Sequence, residues 1–88
     1  MYSASYHEPE WSESFEALDS ETKARAAKKI AKILENPHKR HMKGNAKYFC
    51  AKVGQYRIAY DVLDQAREVR FYFIGDHKEY AKWYRQFF

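Results

Sequence analysis

The chain has 88 residues, 45% apolar and 18% aromatic, which allows one domain, 1–88, with a single core. No apolar run approaches the roughly 20 residues of a membrane span, Met1-Tyr2-Ser3-Ala4-Ser5 lacks the basic-then-apolar order of a secretory leader, and the lone Cys50 forms no internal disulfide and fits a reducing cytoplasm. The net charge of +4 is unevenly spread: residues 1–21 carry six of the 12 acids and no Lys or Arg, so all 16 cations lie after them, a balance that favours a polyanionic partner, nucleic acid or an acidic protein segment.

Residues 2–7 alternate weakly and read as a first strand. Pro9 opens a helix, on which Trp11, Phe15 and Leu18 share one face at i, i+4 and i+7. The acids of its first turns suit the positive end of the helix dipole. Asp19-Ser20 caps a second helix that runs to about Glu35, with Ala26, Ala27, Ile30, Ile33 and Leu34 as its apolar stripe. Asn36-Pro37 ends it, because a residue before proline avoids the α region. A basic loop occupies 38–45. Strands are expected at about 47–53, 56–63 and 68–74, the last closed by Gly75-Asp76, and residues 77–88 read as a short helix or coil. The order β-α-α-β-β-β with short links gives an α+β domain: a helical hairpin packed on one face of a mostly antiparallel four-stranded sheet.

The most informative stretch is Lys52-Val53-Gly54-Gln55-Tyr56-Arg57-Ile58-Ala59-Tyr60. Two alternating runs flank Gly-Gln, which suits a two-residue type II′ loop. In that register Val53 pairs with Tyr56 and Lys52 lies opposite Arg57. Like charges directly opposite destabilise a sheet; a phosphate held between them removes the conflict. Alternation puts Phe49, Ala51, Val53, Tyr56, Ile58, Tyr60, Val62, Val69, Phe71 and Phe73 on the core face. Tyr48, Cys50, Lys52, Arg57, Ala59, Asp61, Arg70, Tyr72 and Ile74 then share an open face.

Together with Asn36-Pro37 at the helix end and Lys43-Gly44 before the second strand, the hairpin motif resembles the RelE/ParE superfamily of bacterial and archaeal toxins, over essentially the whole chain. The ending Phe73-Ile74-Gly75-Asp76-His77-Lys78-Glu79-Tyr80 is similar to those of the HigB and YafQ branches. The resemblance implies the toxin half of a type II toxin–antitoxin pair, partnered by a cognate antitoxin. It implies a cofactor-free, metal-independent endoribonuclease that cuts mRNA on the ribosome, the ribose 2′-hydroxyl attacking the adjacent phosphate. A ParE-like minority instead poisons DNA gyrase without catalysis of its own, and an inactive relative that only binds a regulator is a third alternative. Position by position, Arg57 matches the hairpin arginine, Lys52 the basic residue before Val-Gly, and His77 the acid/base histidine. Lys78 or Arg85 stands for the family's late arginine, and Tyr80 or Tyr84 for its terminal tyrosine. Cys50 occupies the place of a second basic residue, and Gln55 that of the usual acid.

The chemistry needs a base, an acid and stabilisation of charge on the phosphorus. The expected catalytic set is therefore Arg57, Lys52, His77 and Tyr84, with Arg57 as the bidentate phosphate ligand and His77 as the group that titrates near neutrality. RNA contacts are expected from Lys39, Arg40 and Lys43 in the basic loop, from Arg70, Lys78 and Arg85, and from Tyr72 by stacking. His38 and His41 have no acidic or cysteine companion, so no metal site is expected.

Overall fold

The structure, a computed structural model, describes residues 1–38 and 48–87. Its elements are β1 (Ser3–Tyr6), α1 (Glu10–Glu16), α2 (Ser20–Glu35), β2 (Phe49–Val53), β3 (Tyr56–Leu63), a 3-10 turn (Asp64–Ala66), β4 (Glu68–Asp76) and α3 (His77–Phe87). The strands form one sheet in the order β1-β4-β3-β2, antiparallel except where β1 runs parallel to β4. Among the described residues, no helix is long and apolar enough to cross a membrane.

Local signals place the helices where the sequence puts them. Pro9 sits immediately before α1. Asp19, in extended conformation (φ −72°, ψ 165°), caps α2, and its carbonyl accepts from the Lys23 N–H at 2.9 Å. The α1–α2 pair covers one sheet face. Trp11, Leu18, Ala26 and Ile33 pack there against Ala51, Val53, Ile58, Tyr60, Val69, Phe71 and Ile74. Phe71 is wholly buried, a contribution of about 1.5–3 kcal/mol for a side chain of that size. The buried Tyr60 hydroxyl donates to the Pro37 carbonyl at 3.0 Å, tying β3 to the chain just past α2. Ala27, expected in the apolar stripe, is exposed; the stripe is narrower and centred on Ala26 and Ile33.

The strand alternation breaks once. Ala59 pairs with Phe73 but Tyr60 pairs with Phe71, so Tyr72 is an extra residue in β4. Beyond this bulge the faces are exchanged relative to strict alternation. Ile74 is buried under α1, and its N–H donates to the Ser14 hydroxyl at 3.2 Å, while Phe73 turns to the opposite face. The expectation for these two residues is thus reversed, because one inserted residue shifts a period-two pattern by half a cycle. β4 also continues through Gly75 and Asp76 instead of closing before them.

The second face is not open along its length. α3 lies across it, and Tyr80 and Trp83 bury Ala59, with Cys50, Tyr72, Phe73 and Tyr84 packed around them. The Phe73 and Trp83 rings stack at 5.5 Å between centroids and 7° between planes. Residues 77–88, read as helix or coil, hold a full helix, whose apolar side chains at 80, 83 and 84 recur at i, i+3 and i+4.

Gly75 lets α3 come this close. A β-carbon there would stand 2.7 Å from a Phe73 ring carbon and 2.9 Å from the Glu79 β-carbon. Gly75→Ala should therefore destabilise the fold by about 1–3 kcal/mol, the usual range for overpacking, read as a lower urea midpoint at unchanged slope. An unchanged midpoint would mean that α3 does not dock as described.

Candidate active site

The site starts from the hairpin. Gly54 has φ +60°, open to glycine at no steric cost, and the two-residue Gly54-Gln55 turn fixes the pairing. Val53 faces Tyr56 and Lys52 faces Arg57 across β2 and β3, as the sequence implied. On its other side, Arg57 pairs with Gly75 and Tyr56 with Asp76 of β4. Lys52, Arg57 and Gly75 thus form one row across three strands. Gly75 adds no side chain to that row, and the residue after Asp76 opens α3. A further cation stands close by, since the Arg25 guanidinium of α2 lies 3.1 Å from where a β-carbon on Gly54 would be.

Asp76 and Glu79 form a reciprocal cap at the start of α3. The Glu79 N–H donates to Asp76 Oδ1 at 2.8 Å, and the Asp76 N–H donates to Glu79 Oε1 at 2.9 Å. This lock sets the first turn of α3 beside the hairpin. A cleft of about 500 Å³ results, lined by Lys52, Gly54, Gln55, Tyr56, Arg57, Asp76, His77 and Lys78. Three fixed cations and a histidine face one carboxylate there, at a helix N-terminus whose dipole also favours an anion. Lys52 and His77 are exposed and Arg57 is half-buried.

Four expected site residues, Lys52, Arg57, His77 and Lys78, therefore meet in one cleft. Tyr84 does not line it; it stacks on Tyr80, 6.2 Å between centroids, within the α3–sheet cluster. Arg85 is exposed in the last turn of α3 and is also absent from the cleft wall. Arg70 pairs with Glu68 at 3.5 Å and lies opposite Asp61. Tyr72 packs with His7 (5.3 Å) and Tyr48 (5.2 Å), away from the cleft, so its ring is already engaged by protein. Lys39, Arg40 and Lys43 lie outside the described residues.

Tyr56 is the tyrosine on the cleft wall, and Tyr80 lies buried between α3 and the sheet, within the electrostatic reach of Arg57. Burial pushes its phenol well above the usual range, and the neighbouring Cys50 thiol, to which it hydrogen-bonds, raises it further against the opposing pull of Arg57. Tyr80 is therefore a neutral hydrogen-bond donor near pH 7. Asp76 and Arg25 are site neighbours that the hairpin motif does not announce. The Asp-x-x-Glu spacing at 76–79 was a readable capping signal for the first; nothing local marks the second.

A protein-family model described as "ParE toxin of type II toxin-antitoxin system, parDE" matches residues 8–80. The chain belongs to this toxin family. The fold is that of the wider RelE/ParE superfamily. It is similar to the toxin of the intact Escherichia coli RelBE toxin–antitoxin complex, with a TM-score of 0.78 and 22% identity over 86% of this chain and 96% of that one. The isolated E. coli RelE toxin gives a TM-score of 0.76 at 20% identity, covering 100% of both chains. A chain of the RelBE2 toxin–antitoxin complex of Mycobacterium tuberculosis gives 0.76 at 16% identity, over 86% of this chain and 91% of that one. No curated protein matches it in sequence.

In this toxin the juxtaposed cations should carry a small cost. Among the described residues neither Lys52 nor Arg57 makes a salt bridge. Lys52→Gln should raise the stability of the free toxin by roughly 0.2–1 kcal/mol at low salt, with the gain shrinking as salt screens the pair. Denaturant titrations at low and high salt check this, and a destabilised variant would show that the pair is not in conflict.

Proposed function

We propose that the toxin is a metal-independent, ribosome-dependent endoribonuclease that cuts mRNA and so stops translation in the cytoplasm. The observation that carries this reading is the single cleft that holds Lys52, Arg57, His77 and Lys78 together. The ribose 2′-oxygen forms a bond to the adjacent phosphorus and the bond from phosphorus to the 5′-oxygen breaks, leaving a 2′,3′-cyclic phosphate and a 5′-hydroxyl. Arg57 holds two phosphate oxygens through its planar fork, and Lys52 neutralises the charge that builds as the fifth oxygen bonds. His77 moves the proton, taking it from the 2′-hydroxyl or returning one to the leaving 5′-oxygen. Lys78 holds the flanking phosphate. Tyr84 and Tyr80 both lie off the cleft wall, and the tyrosine that lines it beside Arg57 is Tyr56. The ribosome positions the message; a cognate antitoxin neutralises the toxin, a reading supported by the toxin–antitoxin complexes among the similar structures.

A second reading rests on the matching family model, which is that of ParE. As a gyrase poison the chain needs a binding surface and no titrating group. Primer extension on translated mRNA with purified toxin separates the two. Discrete new ends that depend on ribosomes support cleavage; intact message together with inhibited gyrase supports the second reading.

Two substitutions test the residue roles. Arg57→Ala should reduce cleavage by about 10²–10³, the usual effect of losing one preorganised donor, while circular dichroism stays native. Equal growth arrest by a folded variant and the wild type would remove Arg57 from the mechanism. His77→Gln should slow single-turnover cleavage on ribosomes by roughly 10²–10⁴ and leave ribosome affinity unchanged. A matching loss of affinity would make His77 a docking residue instead.

A further inference from the structure

Arg25, exposed on α2, sends its guanidinium to the tip of the hairpin, with Nη2 3.1 Å and Nη1 3.4 Å from where a β-carbon on Gly54 would be. The guanidinium fills the space that a larger residue at 54 would need, so glycine there serves both the turn and this contact. Helix α2 by itself favours a different placement. Glu21 lies four residues before Arg25, and an acid–base pair at that spacing stabilises a helix by about 0.2–0.5 kcal/mol. Among the described residues, Arg25 nevertheless makes no salt bridge and no side-chain hydrogen bond. Its forked donors are thus carried to the tip and left there for solvent or a ligand.

The cationic cleft reaches the same tip, since Gly54 and Gln55 line it. Helix α3 continues β4 on one flank of the hairpin, and α2 packs against β2 on the other. Lys78 and Arg25 therefore approach from opposite flanks, with the Lys52–Arg57 pair between them. We propose that Arg25 is a further phosphate-binding residue of this toxin, taking the RNA phosphate that follows the scissile one on the side away from Lys78. The inference rests on the reading that RNA is cut in this cleft, and it deepens that reading: three successive phosphates are held along the strand. Arg25 touches no reacting atom, so it positions the strand, and its planar fork suits two oxygens of one phosphate. A contact of this kind carries no base preference.

The test uses the full chain and a short 2′-O-methyl oligoribonucleotide, which keeps the phosphates and lacks the attacking hydroxyl. Affinity is read by fluorescence anisotropy between about 50 and 200 mM salt, where each phosphate contact to a single strand adds about 0.7 to the slope of log affinity against log salt. Arg25→Gln should lower that slope by about 0.7, equally for oligonucleotides of different sequence. Arg25→Lys should keep the wild-type slope, because the number of neutralised phosphates is the same. Lys32→Gln removes the same charge from an exposed position about 10 Å further along α2 and should leave the slope unchanged. On ribosomes, Arg25→Gln should raise the toxin concentration at half-saturation and leave the single-turnover rate at saturation unchanged. Equal slopes for Arg25→Gln and the wild type overturn the proposal, as does a wild type that shows no salt-dependent binding. An equal loss from Lys32→Gln overturns it too, since the effect would then be one of net charge. A lower saturated rate at unchanged half-saturation gives Arg25 to the chemical step and also overturns it. Message left intact by the wild type on ribosomes overturns the ribonuclease reading instead; the slopes, which need no cleavage, report separately on whether Arg25 meets a phosphate.

Discussion

Gly54 holds φ at +60°, a value that strains a residue bearing a β-carbon, and a two-residue turn built on it leaves one register for β2 on β3. A slip by one residue would send Ala51, Val53 and Ile58 to the wrong face and empty the core under α2, so the hydrophobic pattern and the turn enforce the same pairing. That pairing then fixes where the charges fall. Lys52 and Arg57 are side by side because the core needs Val53 and Ile58 one step away from each. The conflict between the two cations is a consequence of a register that the core stabilises far more strongly than the charges oppose it. Like-charge pairs cost tenths of a kilocalorie to about 1 kcal/mol, whereas each fully buried aliphatic or aromatic side chain contributes about 1.5–3 kcal/mol.

The β4 bulge divides the sheet into two regions with different duties. On the β1 side of it, β4 pairs with β1 and buries Val69 and Phe71 under α1 and α2. Past it, Phe73 turns to meet Trp83 while Ile74 stays beneath α1. Two cores are thereby built on opposite faces of one strand within two residues. The second core is small, but it seats α3, and the Asp76–Glu79 cap converts that seating into a position for His77 and Lys78. The acid/base residue of the proposed chemistry thus depends on an aromatic contact on the far side of its own helix.

The hairpin, its register, the two helices and the cation pair were legible in the sequence, because each rests on local rules: a Gly-Gln loop, period-two alternation, helix caps and a proline stop. The reversal of Phe73 and Ile74 was not legible. Both are apolar, so strict alternation and a bulge produce equally plausible patterns, and only pairing to β3 decides between them. The covering of the second face was missed for a related reason. Tyr80, Trp83 and Tyr84 show helical spacing, but the surface they pack on depends on the bulge. Tyr84 lies one turn beyond Tyr80 on the same face of α3, stacked on it within the aromatic cluster, and neither ring reaches the cleft wall. Tyr72 likewise stands among Tyr48, His7 and Trp83, where its ring is packing and not a free stacking platform.

Charge is zoned at a finer scale than the totals suggest. Cations gather at the hairpin end of the sheet and acids along α1, and Asp76 stands on the boundary, lining both the cleft and an apolar groove between α1 and α3. Screening in physiological salt acts over about 8 Å, so each zone acts chiefly on groups that come close to it. An anion approaching the hairpin meets attraction from Lys52, Arg57 and Lys78 and repulsion from the carboxylates of α1, which narrows the directions from which it can enter. The same acids flank the apolar groove, formed by Leu18, Phe73, Ile74 and Trp83, and their sign disfavours a phosphate backbone there.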